Sequence, residues 1–155
     1  MRRTSAFVAY VAAAAALLCP GTAFAGTLPD AGAEARAIES VNQIRAANGL
    51  APLRASKSLA RSAGAYSRYM LNNNFFGHQT QIRVASRFRM AGETLAWHSG
   101  LRPGPRQTVR QWMNSPPHRV VLMSPAFRMV GMGMERGRLG GRATTMWVAH
   151  FGRRW

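Results

Sequence analysis

Apolar residues along the chain fall into two regimes, a helical one first and a strand one later. From residue 33 to 48, Ile38, Val41 and Ile44 recur at three-residue steps beside Ala37, which predicts a helix that Asp30 can cap and Asn48-Gly49 stops. Pro52 fixes a tight connection, and Ser56 caps a second helix striped by Leu59, Ala63, Tyr66 and Met70. Asn72-Asn73-Asn74 ends that helix and opens a loop carrying His78. Ile82, Ala85 and Phe88 predict a short third helix that Gly92 terminates, followed by an extended segment from Glu93 to Trp97. After a loop over Gly100–Pro105, residues 106–113 read as helix, with Val109, Trp112 and Met113 apolar. Two strands close the chain, Phe127–Glu135 and Thr144–Phe151, joined through Gly137-Arg138-Leu139-Gly140-Gly141. Both parities of these strands are apolar, so their sheet is expected to be covered on both faces. Early helices and late strands predict an α+β fold, a three-layer α-β-α sandwich with a small, mainly antiparallel sheet. Trp97, Trp112 and Trp147 are expected in its core.

The first 25 residues do not belong to that pattern. Arg2 and Arg3 precede an apolar run from Ala6 to Leu18, too short to span a bilayer comfortably, and Ala23-Phe24-Ala25 supplies a small-x-small cleavage signal. The expected organisation is therefore a signal peptide over 1–25, cleaved after Ala25, and one domain over 26–155, secreted or periplasmic. Bulky Leu18 before Cys19 and Pro20 after it argue against lipid attachment at that cysteine. The mature chain of 130 residues has no cysteine, which excludes a thiol nucleophile and a cysteine-ligated metal.

Charge narrows the partners. The mature chain carries 19 basic residues, all arginine except Lys57, against 5 acidic. Such a surface favours an anionic cell-envelope polymer or lipid headgroups, with peripheral membrane contact, although arginine-rich composition alone produces the same count. No nucleic-acid-binding signature is present. Arg102, Arg106 and Arg110, spaced at i, i+4 and i+8, could form a cationic rim with Arg119. Asp30, Glu34 and Glu39 cluster near the mature N-terminus, leaving Glu93 and Glu135 for the body of the domain, a poor inventory for a two-carboxylate glycosidase.

The remaining chemistry sits at junctions. His118 follows Pro116-Pro117 at the head of a short apolar run stopped by Pro125, His78 follows Phe75-Phe76-Gly77 in a loop, and Glu93 opens an extended segment. Two imidazoles and a carboxylate can make a zinc site with an open position, with His78 and His118 as metal ligands, or the carboxylate can orient an imidazole from behind.

Several motifs in order carry a resemblance. Asn42-x-x-Arg45-x-x-x-Gly49-Leu50-x-Pro52-Leu53, Phe76-Gly77-His78, Gly92-Glu93-x-Leu95-Ala96, Trp112 to Arg119, Phe127 to Gly133, and Trp147 to Gly152 are similar to the CAP superfamily of cysteine-rich secretory, antigen 5 and pathogenesis-related proteins, in its bacterial SCP-like branch. The resemblance spans about residues 36–152 and implies an α-β-α sandwich whose cleft is lined by two histidines and two glutamates, sometimes with a divalent metal. His78, Glu93 and His118 match three of those positions, and Ser115 replaces the second glutamate. Thr94 stands where asparagine is common, and His150 where an acidic or amide residue is usual. Ser115 lacks an evident acid partner for a triad. Two functions follow from the resemblance. One is a non-enzymatic module binding a lipid-like or cell-envelope ligand in the cleft. The other is a metal-dependent hydrolase, proteolytic or cell-wall-acting, using Glu93 as base.

Overall fold

The computed structural model describes residues 31–102 and 104–155; the expected leader and cleavage site, Cys19 and the expected Asp30 cap lie outside the described residues. Helix α1 spans Ala31–Ala47 and α2 Lys57–Asn72, separated by a two-residue strand β1, Arg54–Ala55. Strand β2 (Phe88–Ser99) precedes α3 (Pro105–Asn114) and α4 (Pro116–Leu122), and β3 (Met129–Leu139) and β4 (Arg142–Arg154) close the chain. The sheet order is β1-β3-β4-β2, with β1 parallel to β3 and the other pairs antiparallel. This is the expected α-β-α sandwich.

Strand parity divides the core in two. Val130, Met132 and Met134 of β3, with Trp147, Ala149 and Phe151 of β4, pack toward α1, α3 and α4. Met146 and Val148 of β4 join Leu95 and the α2 residues Ala63 and Met70 on the opposite face. On β3 the positions facing α2 are Gly131 and Gly133. A Cβ built on Gly131 would meet the Ala60 nitrogen at 2.0 Å, and one on Gly133 would meet the Gly64 nitrogen at 2.2 Å. The α2 backbone therefore lies directly on the sheet, closer than any side chain permits.

The motif residues of α1 act as internal scaffolding. The Asn42 side chain donates to the Leu53 carbonyl (3.0 Å) and accepts from the Leu53 N–H (2.8 Å), closing the loop after α1. Arg45 is fully buried and donates to the carbonyls of Ala51 (3.0 Å), Leu122 (2.7 Å) and Ser124 (3.0 Å), tying α1 to the end of α4. Burial and then the Arg128 charge lower its pKa. Trp112 donates from its indole N–H to the Leu95 carbonyl (2.9 Å), which seats α3 on the outer edge of β2.

Two expectations are corrected. No helix forms over residues 82–92: the chain is irregular to Arg87, and Phe88 begins β2 opposite Arg154. Ile82 and Val84 are half-buried, so their apolar spacing reflects a packed loop, and the long β4 partner extends the strand seven residues beyond Glu93–Trp97. Trp97 is 39 % exposed and not in the core. It shares the α2-facing parity of Leu95, but α2 covers β3 and β4 and leaves the outer end of β2 open. The final strands are longer than their apolar runs because Gly140 and Gly141, at φ +56° and +76°, make a two-residue turn that keeps Leu139 paired with Arg142.

Gly131→Ala and Gly133→Ala should each destabilise the fold by about 3 kcal/mol or more, because the obstructing atoms are backbone. Thermal denaturation should read this as a loss of roughly 10 °C or more.

Candidate functional site

The site grows from position 93 of the edge strand. Glu93 shares the α2-facing parity of Leu95, but α2 does not reach it, and the loop after α2 covers it instead. Its side chain is only 2 % exposed, and both oxygens are engaged. Oε1 accepts from His78 Nδ1 (2.8 Å) and from the Gln79 backbone N–H (3.1 Å). Oε2 accepts from the Gln79 side-chain amide (2.9 Å) and lies 3.1 Å from His150 Nε2. Burial by itself would raise this carboxyl. The hydrogen bonds from His150, Gln79 and His78 outweigh it and hold Glu93 below the usual carboxylate range.

His150 sits opposite Glu93 in the β2–β4 register and is fully buried. Its Nδ1 lies 2.7 Å from Ser62 Oγ on α2. In the neutral ring that donates Nε2–H to Glu93, Nδ1 accepts the Ser62 hydroxyl proton, for which the Leu59 carbonyl at 2.9 Å is the competing acceptor. The neighbouring β3 residue is Gly131, so the close approach of α2 is also what brings Ser62 within reach of His150. Sequence reasoning left His150 without a role, and it missed Gln79 and Ser62. The available signal was pairing, since a polar residue on the inner parity of a doubly covered strand requires a partner.

His78 and His118 lie side by side, with ring centroids 5.8 Å apart. His78 exposes 56 % of its side chain, while His118 is half-buried at the second turn-forming position after Pro116 in α4. Burial, and then the nearby His78, lower the pKa of His118, so its ring is neutral at pH 7. In the neutral form of His78 that donates from Nδ1 to Glu93, Nε2 carries the lone pair. Two imidazoles holding one zinc have ring centres about 5–6 Å apart, given Zn–N bonds of about 2.0–2.1 Å. The two rings fit a two-nitrogen site. Glu93 does not fit as a third ligand, since its hydrogen bonds occupy both oxygens, and it supports His78 from behind. Among the described residues no three His, Cys, Asp or Glu side chains are grouped to hold a metal. Ser115 is half-buried at the α3–α4 junction, and its hydroxyl makes no capping bond.

A pocket of about 600 Å³ opens beside His78, lined by Ser62, Tyr66, Tyr69, Phe75, Gln79 and Arg83 among others. The Tyr66 and Tyr69 rings stack at 6.0 Å, and the Tyr66 hydroxyl donates to the Gly77 carbonyl, which steadies the loop that carries His78. Two of the four arginines expected to rim the cleft lie away from it. Arg102 precedes α3, and Arg106 faces a shallow groove against Arg36, Glu39 and Gln43 of α1.

The profile of the cysteine-rich secretory protein (CAP) family matches residues 38–151. The uncharacterised protein YkwD of Bacillus subtilis is 32 % identical over 116 residues, covering 68 % of this chain and 44 % of its own length. The chain thus spans less than half of that relative. An outer surface protein of Borrelia burgdorferi superimposes with a TM-score of 0.67 at 20 % identity, covering 83 % of this chain and 97 % of its own. An extracellular SCP-domain protein of Bacillus anthracis superimposes with a TM-score of 0.63 at 23 % identity, covering 79 % of this chain and 41 % of its own.

Glu93→Gln should cost about 2 kcal/mol near neutral pH, as expected when charge-assisted hydrogen bonds are weakened. Since the folded-state pKa of Glu93 is depressed, its contribution is complete above the unfolded carboxylate range, near pH ~4.3, and is lost as pH falls through the folded value. Urea denaturation of both proteins at pH 7 and at stepwise lower pH should show the difference shrinking on acidification. A difference independent of pH would mean that the carboxylate charge is not what the network holds.

Proposed function

The chain belongs to the cysteine-rich secretory protein (CAP) family, and from that premise we propose that it is a secreted, non-enzymatic binding module that takes a lipid-like or cell-envelope ligand in the pocket beside His78. The leader-like pattern over residues 1–25 supports export, as do an outer surface protein and an extracellular protein among its structural relatives. The observation that carries the binding reading is the saturation of Glu93. A general base needs a free lone pair and a pKa near the working pH, whereas this carboxylate is buried, fully hydrogen-bonded and held low. It builds the wall of a site and is a poor proton acceptor.

Ser62 and His150 do not replace it. Ser62 lies within α2, where the local backbone N–H groups are committed to the helix, so no pair of free donors stands ready for an oxyanion. The pocket itself suits an amphipathic guest. Tyr66, Tyr69 and Phe75 offer aromatic faces, and Gln79, Gln81 and Arg83 offer polar contacts, within a volume typical of ligand pockets. A divalent metal such as zinc would be held by His78 and His118. Its chemistry there would be that of a Lewis acid toward an oxygen of the ligand. His78, fixed through Nδ1 by Glu93, would present Nε2, and the neutral His118 ring needs to shed no proton to bind.

An environment-sensitive fluorescent fatty acid and soluble peptidoglycan fragments are the probes for this pocket. One of them should bind, and Tyr69→Ala or Phe75→Ala should weaken it about tenfold, the loss of one aromatic contact. Unchanged affinity in both variants would remove the pocket from consideration. Hydrolysis of either probe that disappears in Glu93→Gln would instead establish the hydrolase. In a parallel zinc titration, His78→Ala and His118→Ala should each lower affinity about tenfold or more, and wild-type affinity should fall as the pH drops below the ordinary imidazole range, ~6.5, because protons compete for the ligating nitrogens and the lowered pKa of His118 delays its share of that loss.

A further inference from the structure

The sheet topology gathers arginines that are far apart in sequence. Because β1 and β3 run parallel while β4 and β2 run against and with them in turn, the starts of β1, β3 and β2 and the finish of β4 share one end of the sheet. Arg54 begins β1, Arg128 immediately precedes β3, Arg153 and Arg154 finish β4, and Arg87 and Arg89 flank Phe88 at the start of β2. Backbone contacts stitch this row together, from the Arg54 N–H to the Arg128 carbonyl (2.9 Å) and from the Arg128 N–H to the Gly152 carbonyl (3.1 Å). Five of these arginines are exposed and Arg153 is half-buried. Lys57, in the first turn of α2, adds a further exposed cation at this end.

Among the described residues no carboxylate side chain pairs with the row. The acidic residues among those described are Glu34 and Glu39 on α1, the buried Glu93, and Glu135, which pairs with Arg68. No ion pair to a glutamate forms at any of the six arginines. Two of them are also held in place: the guanidinium groups of Arg87 and Arg154 stand 5.6 Å and 6.0 Å from the centroid of the Phe88 ring. Apolar groups accompany the charge. Met90, opposite Arg153 in the register, is exposed, and Trp155, next to Arg154, is 89 % exposed.

We propose that this end of the sheet is a docking surface for anionic phospholipid headgroups, with the arginines on the phosphates and Trp155 and Met90 in the interfacial layer. Four strands at about 4.8 Å spacing give a face roughly 14 Å wide, enough to engage more than one headgroup. A soluble polyanion would satisfy the arginines equally well but has no apolar layer to receive an indole and a thioether, which is why a bilayer fits better. No helix among the described residues is long and apolar enough to cross a membrane, so the contact is a peripheral one. This surface was not visible in the arginine spacing around residues 102–119, since it is made by strand order.

The test is co-sedimentation of the protein with vesicles of phosphatidylcholine alone or of phosphatidylcholine with phosphatidylglycerol, across a salt series. Association should require phosphatidylglycerol and weaken with salt. The triple variant Arg87→Gln/Arg89→Gln/Arg154→Gln should lose about a hundredfold in partitioning, at about fivefold per arginine near an anionic surface. The charge-matched control Arg102→Gln/Arg106→Gln/Arg110→Gln should lose much less. Trp155→Ala, which leaves the charge intact, should weaken vesicle binding while leaving adsorption to soluble polyphosphate unchanged. Equal losses in the two triple variants would overturn the proposal in favour of diffuse attraction by net charge. Indifference to Trp155→Ala, with stronger binding to polyphosphate than to vesicles, would overturn it in favour of an anionic polymer. Binding of the pocket probes by the first triple variant should be unaltered, which separates this surface from the ligand pocket.

Discussion

Backbone-to-backbone contact between α2 and β3 governs most of what this domain can do. Gly131 and Gly133 leave no volume between strand and helix, and the α2 backbone at Ala60 and Gly64 lies directly against them. That seating brings Ser62 to His150, and His150 in turn helps to hold Glu93 ionised in a nearly dry environment. A bulkier residue at position 131 or 133 would lift the whole helix and uncouple all three side chains at once. The stability of the sandwich and the electrostatics of the site therefore rest on the same two missing side chains.

Glu93 is best seen as the hub of a supporting lattice. Four donors converge on it from a loop and from the neighbouring strand, so the loop carrying His78 is fixed to the sheet through a carboxylate and not through apolar packing. The cost of burying the charge is met by those bonds, as the direction of its pKa shift requires. The consequence for function is an asymmetry. His78, whose Nδ1 is committed, is exposed and offers one nitrogen outward, while the carboxylate behind it has nothing left to offer a substrate.

Much of the fold was legible because several residues announce their roles locally. Asn48-Gly49 and Pro52 mark a helix end and the tight connection after it, the Gly140-Gly141 pair marks a hairpin, and apolar residues on both parities of the last strands mark a sheet with two covered faces. What failed did so where local pattern and tertiary partner diverge. Ile82, Ala85 and Phe88 have helical spacing, but the pairing of Phe88 with Arg154, sixty-six residues away, decides its conformation. Trp97 has the right parity for burial, yet α2 does not cover its end of β2. His78, Glu93 and His118 could be named from their junctions and from family motifs. His150, Ser62 and Gln79 could not, because their meaning lies in register and in the depth to which α2 sinks onto the sheet.

The strand order has a further consequence for how the chain reaches its native state. Among the described residues β4, which follows the other strands in the chain, is the one strand that contacts both β2 and β3, and β2 has no other neighbour there. Until β4 is available, β2 is an isolated ribbon and the two halves of the core have no common wall. Pairings between residues as distant as Phe88 and Arg154 close large loops and come late in folding. A chain threaded N-terminus first through a narrow passage would thus stay open until β4 emerged, and then collapse in one cooperative step around that strand.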